Sequence, residues 1–221
     1  MNQLISNYNK LHPLLSASTI NGTCRFKEPA NANRSKTLYE VEITNVTGWE
    51  FPKDLPSKAS SFYCMTHDPN NQDECHKILR EDCDGIICCE NNDKLTIYIF
   101  ELKSSYTTDS IPKAKDQISG SYIKLINKLR TLQGFDASKI DIVGVIIAYN
   151  LSTEAKSAMK IIQNRKARFC LKLAADTTYN MPQKRCENFW SPITFQHDIL
   201  LKYVSVPEHQ SKHTIDFTSI A

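Results

Sequence analysis

At 221 residues, with 41% hydrophobic and 23% charged residues, the chain has the composition of an ordinary globular protein and can bury a substantial core, which excludes a fibrous or disordered one. No apolar run approaches the length of a membrane span and Met1 to Lys10 is polar, so the expectation is a cytoplasmic protein with no membrane association. The formal charge of +3 is too small to name a partner by itself, and eight cysteines in that compartment read as reduced thiols or metal ligands rather than disulfides.

In chain order, residues 1 to 20 begin polar, and Leu11 to Leu15 reads as a short helix or an arm against the domain. Leu38 to Thr44 alternates apolar and polar positions, the pattern of a half-buried strand. From Gly48 to Gln72, Pro52, Pro56 and Pro69 interrupt every period and predict an irregular insertion, followed by a short helix around Asp73 to Arg80. Cys83 to Ile87 and Leu95 to Phe100 predict an antiparallel hairpin, because Asn91-Asn92-Asp93 between them tolerates the backbone angles of a tight turn. Residues 113 to 132 carry Ile118, Tyr122, Leu125, Ile126 and Leu129 at helical spacing, and Gly134 ends that pattern. Ile140 to Tyr149 is apolar enough for a buried central strand. Ser152 or Thr153 caps a basic helix reaching about Leu173, and Tyr203 to Val206 reads as an edge strand before Pro207. The whole predicts an α/β fold with a mixed central β-sheet flanked by helices, organised as a single domain over 1–221 with a proline- and cysteine-rich insertion around 48–80 and a C-terminal extension over 174–221.

The chemistry concentrates at one end of the predicted hairpin. Residues two apart in a strand share a face, so Glu101 and Lys103 point the same way while Leu102 points into the core. The hairpin brings Asp84 beside Glu101, so two acids and a lysine converge. Magnesium and similar hard cations take oxygen ligands and keep several waters, and Asp84, Glu101 and the backbone carbonyl of Leu102 supply such oxygens. Lys103 then holds or polarises an attacking water and offsets charge developing on a phosphate. Acids crowd residues 73 to 93. Residues 156 to 172 instead carry six cations, among which Arg165, Arg168 and Lys172 share one helix side as a phosphate-contacting stripe or a solvated face.

A strand with Asp84, a strand ending Phe100-Glu101-Leu102-Lys103, a helix with Gln117 and the apolar strand Ile140 to Tyr149 together resemble the PD-(D/E)xK nuclease superfamily over roughly residues 80 to 150. The resemblance implies a restriction-endonuclease-like core, Mg2+ or Mn2+ on Asp84 and Glu101, a catalytic Lys103, and Gln117 orienting water or backbone. Tyr122 is a further candidate, and Glu40 or Glu42 answers to the glutamate that many members carry upstream. It also implies phosphodiester hydrolysis, in DNA rather than RNA, by a restriction enzyme, a repair nuclease or the cleaving subunit of an antiviral defence system whose protein partner supplies recognition; a homodimer would cut both strands.

Two other readings stand beside it. The same sheet can serve a noncatalytic nucleic-acid or protein-binding module. Cys64, His67, Cys75 and His76, with Cys83 beyond, offer soft ligands for a structural Zn2+ against the plainer reading of loose thiols. His67, His76 and His197 show no motif tying them to an activated serine or cysteine nucleophile.

Overall fold

The structure, a computed structural model, describes residues 2–11, 16–27, 38, 40–52, 82–181, 185–186, 193–194, 197–208 and 211–221. Most of the proline- and cysteine-rich insertion, the expected helix at Asp73 to Arg80, and Cys64, His67, Cys75 and His76 lie outside the described residues.

Helix α1 (Gln3–Asn9) precedes strands β1 (Ser18–Lys27) and β2 (Glu40–Phe51). The hairpin follows as β3 (Gly85–Asn91) and β4 (Lys94–Lys103), then α2 (Ser110–Leu129) and β5 (Ile140–Tyr149). The chain continues through α3 (Thr153–Ile162), α4 (Arg165–Asp176) and β6 (Thr178–Met181). Two-residue strands β7 (Arg185–Cys186) and β8 (Ile193–Thr194) pair with each other, and β9 (Ile199–Val206) and β10 (Lys212–Asp216) complete the set.

The main sheet runs β1-β2-β3-β4-β5-β9-β6. β4, β5 and β9 are parallel, whereas the β1–β2, β2–β3, β3–β4 and β6–β9 pairs are antiparallel. The fold is therefore α/β with a mixed sheet. α2 is the crossover that parallel β4 and β5 require. β2 is shared along its length: β3 takes Trp49–Phe51, while β10 runs parallel to Glu40–Thr44.

Two cores sit on opposite sides of the sheet. Under the helices, Leu4, Ile5 and Tyr8 of α1 join Ile118, Tyr122 and Ile126 of α2, Met159 of α3 and Cys170 of α4, packed on Ile86, Ile97, Ile99 and Ile142. On the other side, Phe100, Leu102, Val145 and Ile147 meet β1, β2 and β10 instead. Phe26 of β1 lies 4.9 Å, ring to ring, from Phe100 of β4, although two strands separate them in the sheet, so the β1–β2 limb curls over the face that no described α-helix covers. β5 leaves only Asp141 exposed, as expected of a strand covered on both sides.

The elements between 83 and 149 match the sequence expectation, with β5 at the expected bounds. In the hairpin turn, Asn92 and Asp93 both have positive φ, 49° and 62°, the type I′ geometry whose twist suits a two-residue connection. Four expectations need correction. α1 and β1 were not anticipated. β2 continues through Gly48 to Phe51, where an irregular insertion was expected; Gly48 fits because a Cβ there would lie 2.2 Å from the Cys88 carbonyl oxygen. The basic helix is two helices, broken where Gln163 turns left-handed (φ 49°) and Asn164 caps α4 by accepting the Ala167 N–H. Finally, β9 is longer than the expected Tyr203–Val206: it starts at Ile199, and β6 flanks Ile199–Lys202, so only its last residues pair with β5 alone.

Candidate active site

Gly85 pairs with Phe100 in the β3–β4 ladder, so the next step of the register sets Asp84 opposite Glu101. The ladder persists there in altered form. The Asp84 N–H donates to the Phe100 carbonyl at 2.9 Å, and Asp84 Oδ2 accepts from the Leu102 N–H at 2.8 Å. A residue's N–H and C=O leave a strand on the same side, so the Leu102 carbonyl shares the edge that Asp84 occupies. Ile86, Ile97 and Ile99 pack beneath α2, and Asp84, Glu101 and Lys103 are in phase with them. Leu102 is fully buried in the opposite core. The sequence expectation of two acids and a lysine on one face, with a backbone carbonyl between, agrees with this arrangement.

Glu101 is 1% exposed, a depth at which a carboxylate needs compensating charge. Lys103 Nζ donates to its Oε1. The same ammonium donates to Gln117 Oε1 at 2.7 Å, and Gln117 Nε2 donates to the Asp82 carbonyl at 3.0 Å. Gln117 thus reaches the cluster, where it fixes Lys103 and the backbone before Asp84.

Three residues of this neighbourhood were missed from the sequence: Asp82, Ser121 and Lys124. Ser121 Oγ accepts the Cys83 N–H at 2.9 Å, and Lys124, 4% exposed, is ion-paired with the Asp82 carboxylate. Gln117, Ser121 and Lys124 follow at i, i+4 and i+7 on one face of α2, a spacing that would have flagged them once Gln117 was chosen. One turn on, the Nζ of Lys128 is buried and donates no hydrogen bond among the described residues. Burial, reinforced by the like charge of Lys124, pushes its pKa down to about 8. Burial also pushes the Cys83 thiol up to about 12, and its Sγ sits 3.5 Å from the Gly85 carbonyl, so Cys83 is a protonated structural thiol.

Other expected residues lie elsewhere. Tyr122 is buried under the sheet, and its hydroxyl donates to His197 Nδ1 at 2.9 Å; His197 Nε2 donates to the Ala137 carbonyl at 3.0 Å. Burial lowers the pKa of that ring, which favours the neutral form that accepts at Nδ1 and donates from Nε2. Tyr122 is therefore a core residue here. Glu40 and Glu42 are on β2, not on a helix, and pair with Lys27 and Lys212 and with Arg25 respectively. Arg165, Arg168 and Lys172 are exposed along α4, with Lys172 bonded to Asp176 at 2.7 Å. The five described cysteines outside β7, Cys24, Cys83, Cys88, Cys89 and Cys170, are free thiols.

No group of three or more His, Cys, Asp or Glu side chains converges as a metal cage among the described residues. The donors at the hairpin end are two carboxylates and a carbonyl. That set suits a hard cation retaining several waters and does not suit zinc. Among the described residues no helix is long and apolar enough to cross a membrane. The chain matches no family model, no curated protein and no solved structure.

Proposed function

We propose that this protein is a divalent-metal-dependent nuclease with a restriction-endonuclease-like core, hydrolysing phosphodiester bonds in DNA. The observation that carries the reading is the register of the hairpin: it sets Asp84 opposite Glu101, with Lys103 on the same face and tethered by Gln117. Asp84, Glu101 and the Leu102 carbonyl would hold Mg2+ or Mn2+, which supplies Lewis acidity and a water of lowered pKa. The protein's own groups do the rest. Lys103 presents a cation to a nonbridging phosphate oxygen, and the Gln117 bond holds Nζ in place so that little ordering is left for the moment of reaction. The buried Glu101 keeps that ammonium aligned. With no separate base-reading element among the described residues, the chain fits a cleaving subunit of a defence or restriction system whose partner selects the target, and cutting a duplex calls for two copies.

A second reading has its own support. Asp84 already accepts the Leu102 N–H, and Glu101 already meets Lys103, so each acid has a partner within the protein, as in a noncatalytic binding module.

The test incubates purified protein with supercoiled plasmid, linear duplex and single strands in magnesium, manganese or chelator, beside Glu101→Gln. Cutting that needs metal and disappears in the variant is the expected result. Cutting that survives in Glu101→Gln would sink the assignment. An uncut substrate, together with no calorimetric heat for magnesium or manganese on the wild type, would select the binding module.

A further inference from the structure

Helices α3 and α4 form a hairpin that carries most of the molecule's unusual surface. Residues 153–176 hold six cations against two acids, an excess larger than the +3 of the whole chain, so the remainder of the protein is slightly acidic. Lys156, Lys160, Arg165 and Arg168 are exposed and have no ion-pair partner among the described residues. In the midst of this charge, Ile161 is 82% exposed and Ile162 54% exposed. Only two other large hydrophobic side chains, Leu11 and Leu200, are exposed among the described residues, and they are isolated.

The helix phase explains the outward isoleucines. α3 buries only Met159, and Ile161, two positions on, falls on the far side of the helix. The left-handed Gln163 and the Asn164 cap then reverse the chain, so Ile161 and Ile162 stand at the bend with Lys160 before them and Arg165 and Lys166 after. The second helix of the hairpin is joined to the chain segment that follows the proposed site. Tyr106 Oη donates to the Cys170 carbonyl at 2.8 Å, and Lys166 lies 3.8 Å from Asp109, so α4 is fastened to the segment that begins just after Lys103.

An aliphatic pair flanked by lysine and arginine matches the chemistry of a wedge in the minor groove of a duplex, where cations hold the phosphates on either side and the apolar tip enters a base step. We infer that the α3–α4 hairpin binds duplex DNA in this way, with Ile161 and Ile162 partly unstacking one step of the duplex that the Asp84–Glu101 site engages. Nucleic acid is favoured over an anionic lipid surface because α4 and the proposed site both adjoin the segment after Lys103, and one extended polyanion can reach both. The inference rests on the nuclease reading only for its ligand class.

The test measures binding in chelator, so that no cutting intervenes, using a short duplex with 2-aminopurine, a single strand of the same length and phosphatidylserine vesicles. The wild type is expected to bind the duplex and raise 2-aminopurine fluorescence. Ile161→Ser/Ile162→Ser is expected to lose that rise and weaken binding about tenfold with the salt slope unchanged. Arg165→Gln/Arg168→Gln is expected to lower the salt slope by about two phosphates' worth. A double isoleucine variant that binds and unstacks like the wild type overturns the inference, and so does isoleucine-dependent binding to vesicles without binding to duplex. A protein that unstacks DNA yet neither cuts it nor gives calorimetric heat with magnesium or manganese would end the nuclease reading and leave this one standing.

Discussion

Two cation–carboxylate pairs line the same face of α2, and they are built in opposite senses. In Glu101–Lys103 the acid is the buried member, with side chains 1% and 13% exposed for Glu101 and Lys103. In Asp82–Lys124 the ammonium is buried, 5% exposed, under an acid that is 51% exposed. Gln117 joins them, donating to the Asp82 backbone while accepting from Lys103. Burial of the acid or of the cation decides which pair is placed for chemistry. A cation at the rim above a buried acid can meet an anionic substrate, whereas a cation sealed beneath an acid can only hold the chain segment before Asp84 in place.

The largest effects are expected where a substitution strips the partner from a buried charge. Lys103→Met takes the cation from a carboxylate in the core and is expected to reduce cleavage about a hundredfold. It should also destabilise the fold by about 3 kcal/mol. Asp82→Asn takes the carboxylate from the buried Lys124 and is expected to destabilise by about 2 kcal/mol. Lys124→Met, which leaves Asp82 half in water, should change stability by less than about 1 kcal/mol. Denaturant melts of the three variants check the asymmetry. Equal losses in the last two would mean that burial does not distinguish the members of that pair.

A smaller effect is expected at the joint. Gln117→Ala removes the Lys103 acceptor and the Asp82 donor, and should cost about 1 kcal/mol in stability. Its cleavage is expected to fall about tenfold at unchanged metal affinity, as for a positioning residue. The same loss in metal affinity, read by calorimetry, would show that Gln117 shapes the carboxylates rather than the ammonium.

Smallest is the pH signature of Lys128. Its folded pKa of about 8 lies below the ordinary 10.5, so the unfolded chain binds more protons between those values and stability should rise with pH across that window. The cost is fully present below about pH 8, and partial solvent access keeps it near about 1 kcal/mol. Lys128→Met should therefore raise the melting temperature at pH 7 and flatten the slope above pH 8. An unchanged slope in the variant would trace the dependence to another group.

How much of this was legible in the sequence varies by region for physical reasons. The hairpin, α2 and β5 were readable because their signals are local: a turn that accepts positive φ, an apolar stripe at helical spacing, and an uninterrupted buried run. β1 was not read, although Ile20, Cys24 and Phe26 alternate toward the core, because Asn21-Gly22 in its middle has turn chemistry and here makes a register shift inside a strand. The break between α3 and α4 carries no glycine or proline; a glutamine in left-handed conformation gives no warning. Asp84, Glu101, Lys103 and Gln117 could be named because strand parity and one helix suffice to bring them together. Asp82, Ser121 and Lys124 needed the orientation of α2 on the sheet, which no single stretch of sequence states.

The site residues Asp82 to Gln117 come from one short stretch of chain, closed by a two-residue turn. The pairing of β10 with β2 instead joins residues some 170 positions apart, as in the Asn45 to Asp216 hydrogen bond. Closing the short loop is entropically cheap and fast, and closing the long one is neither. The hairpin is thus expected to order early in folding and the β10 margin late. In the native ensemble, the same inequality predicts that, among the described strands, the β10 margin opens more readily than the carboxylate end of the hairpin.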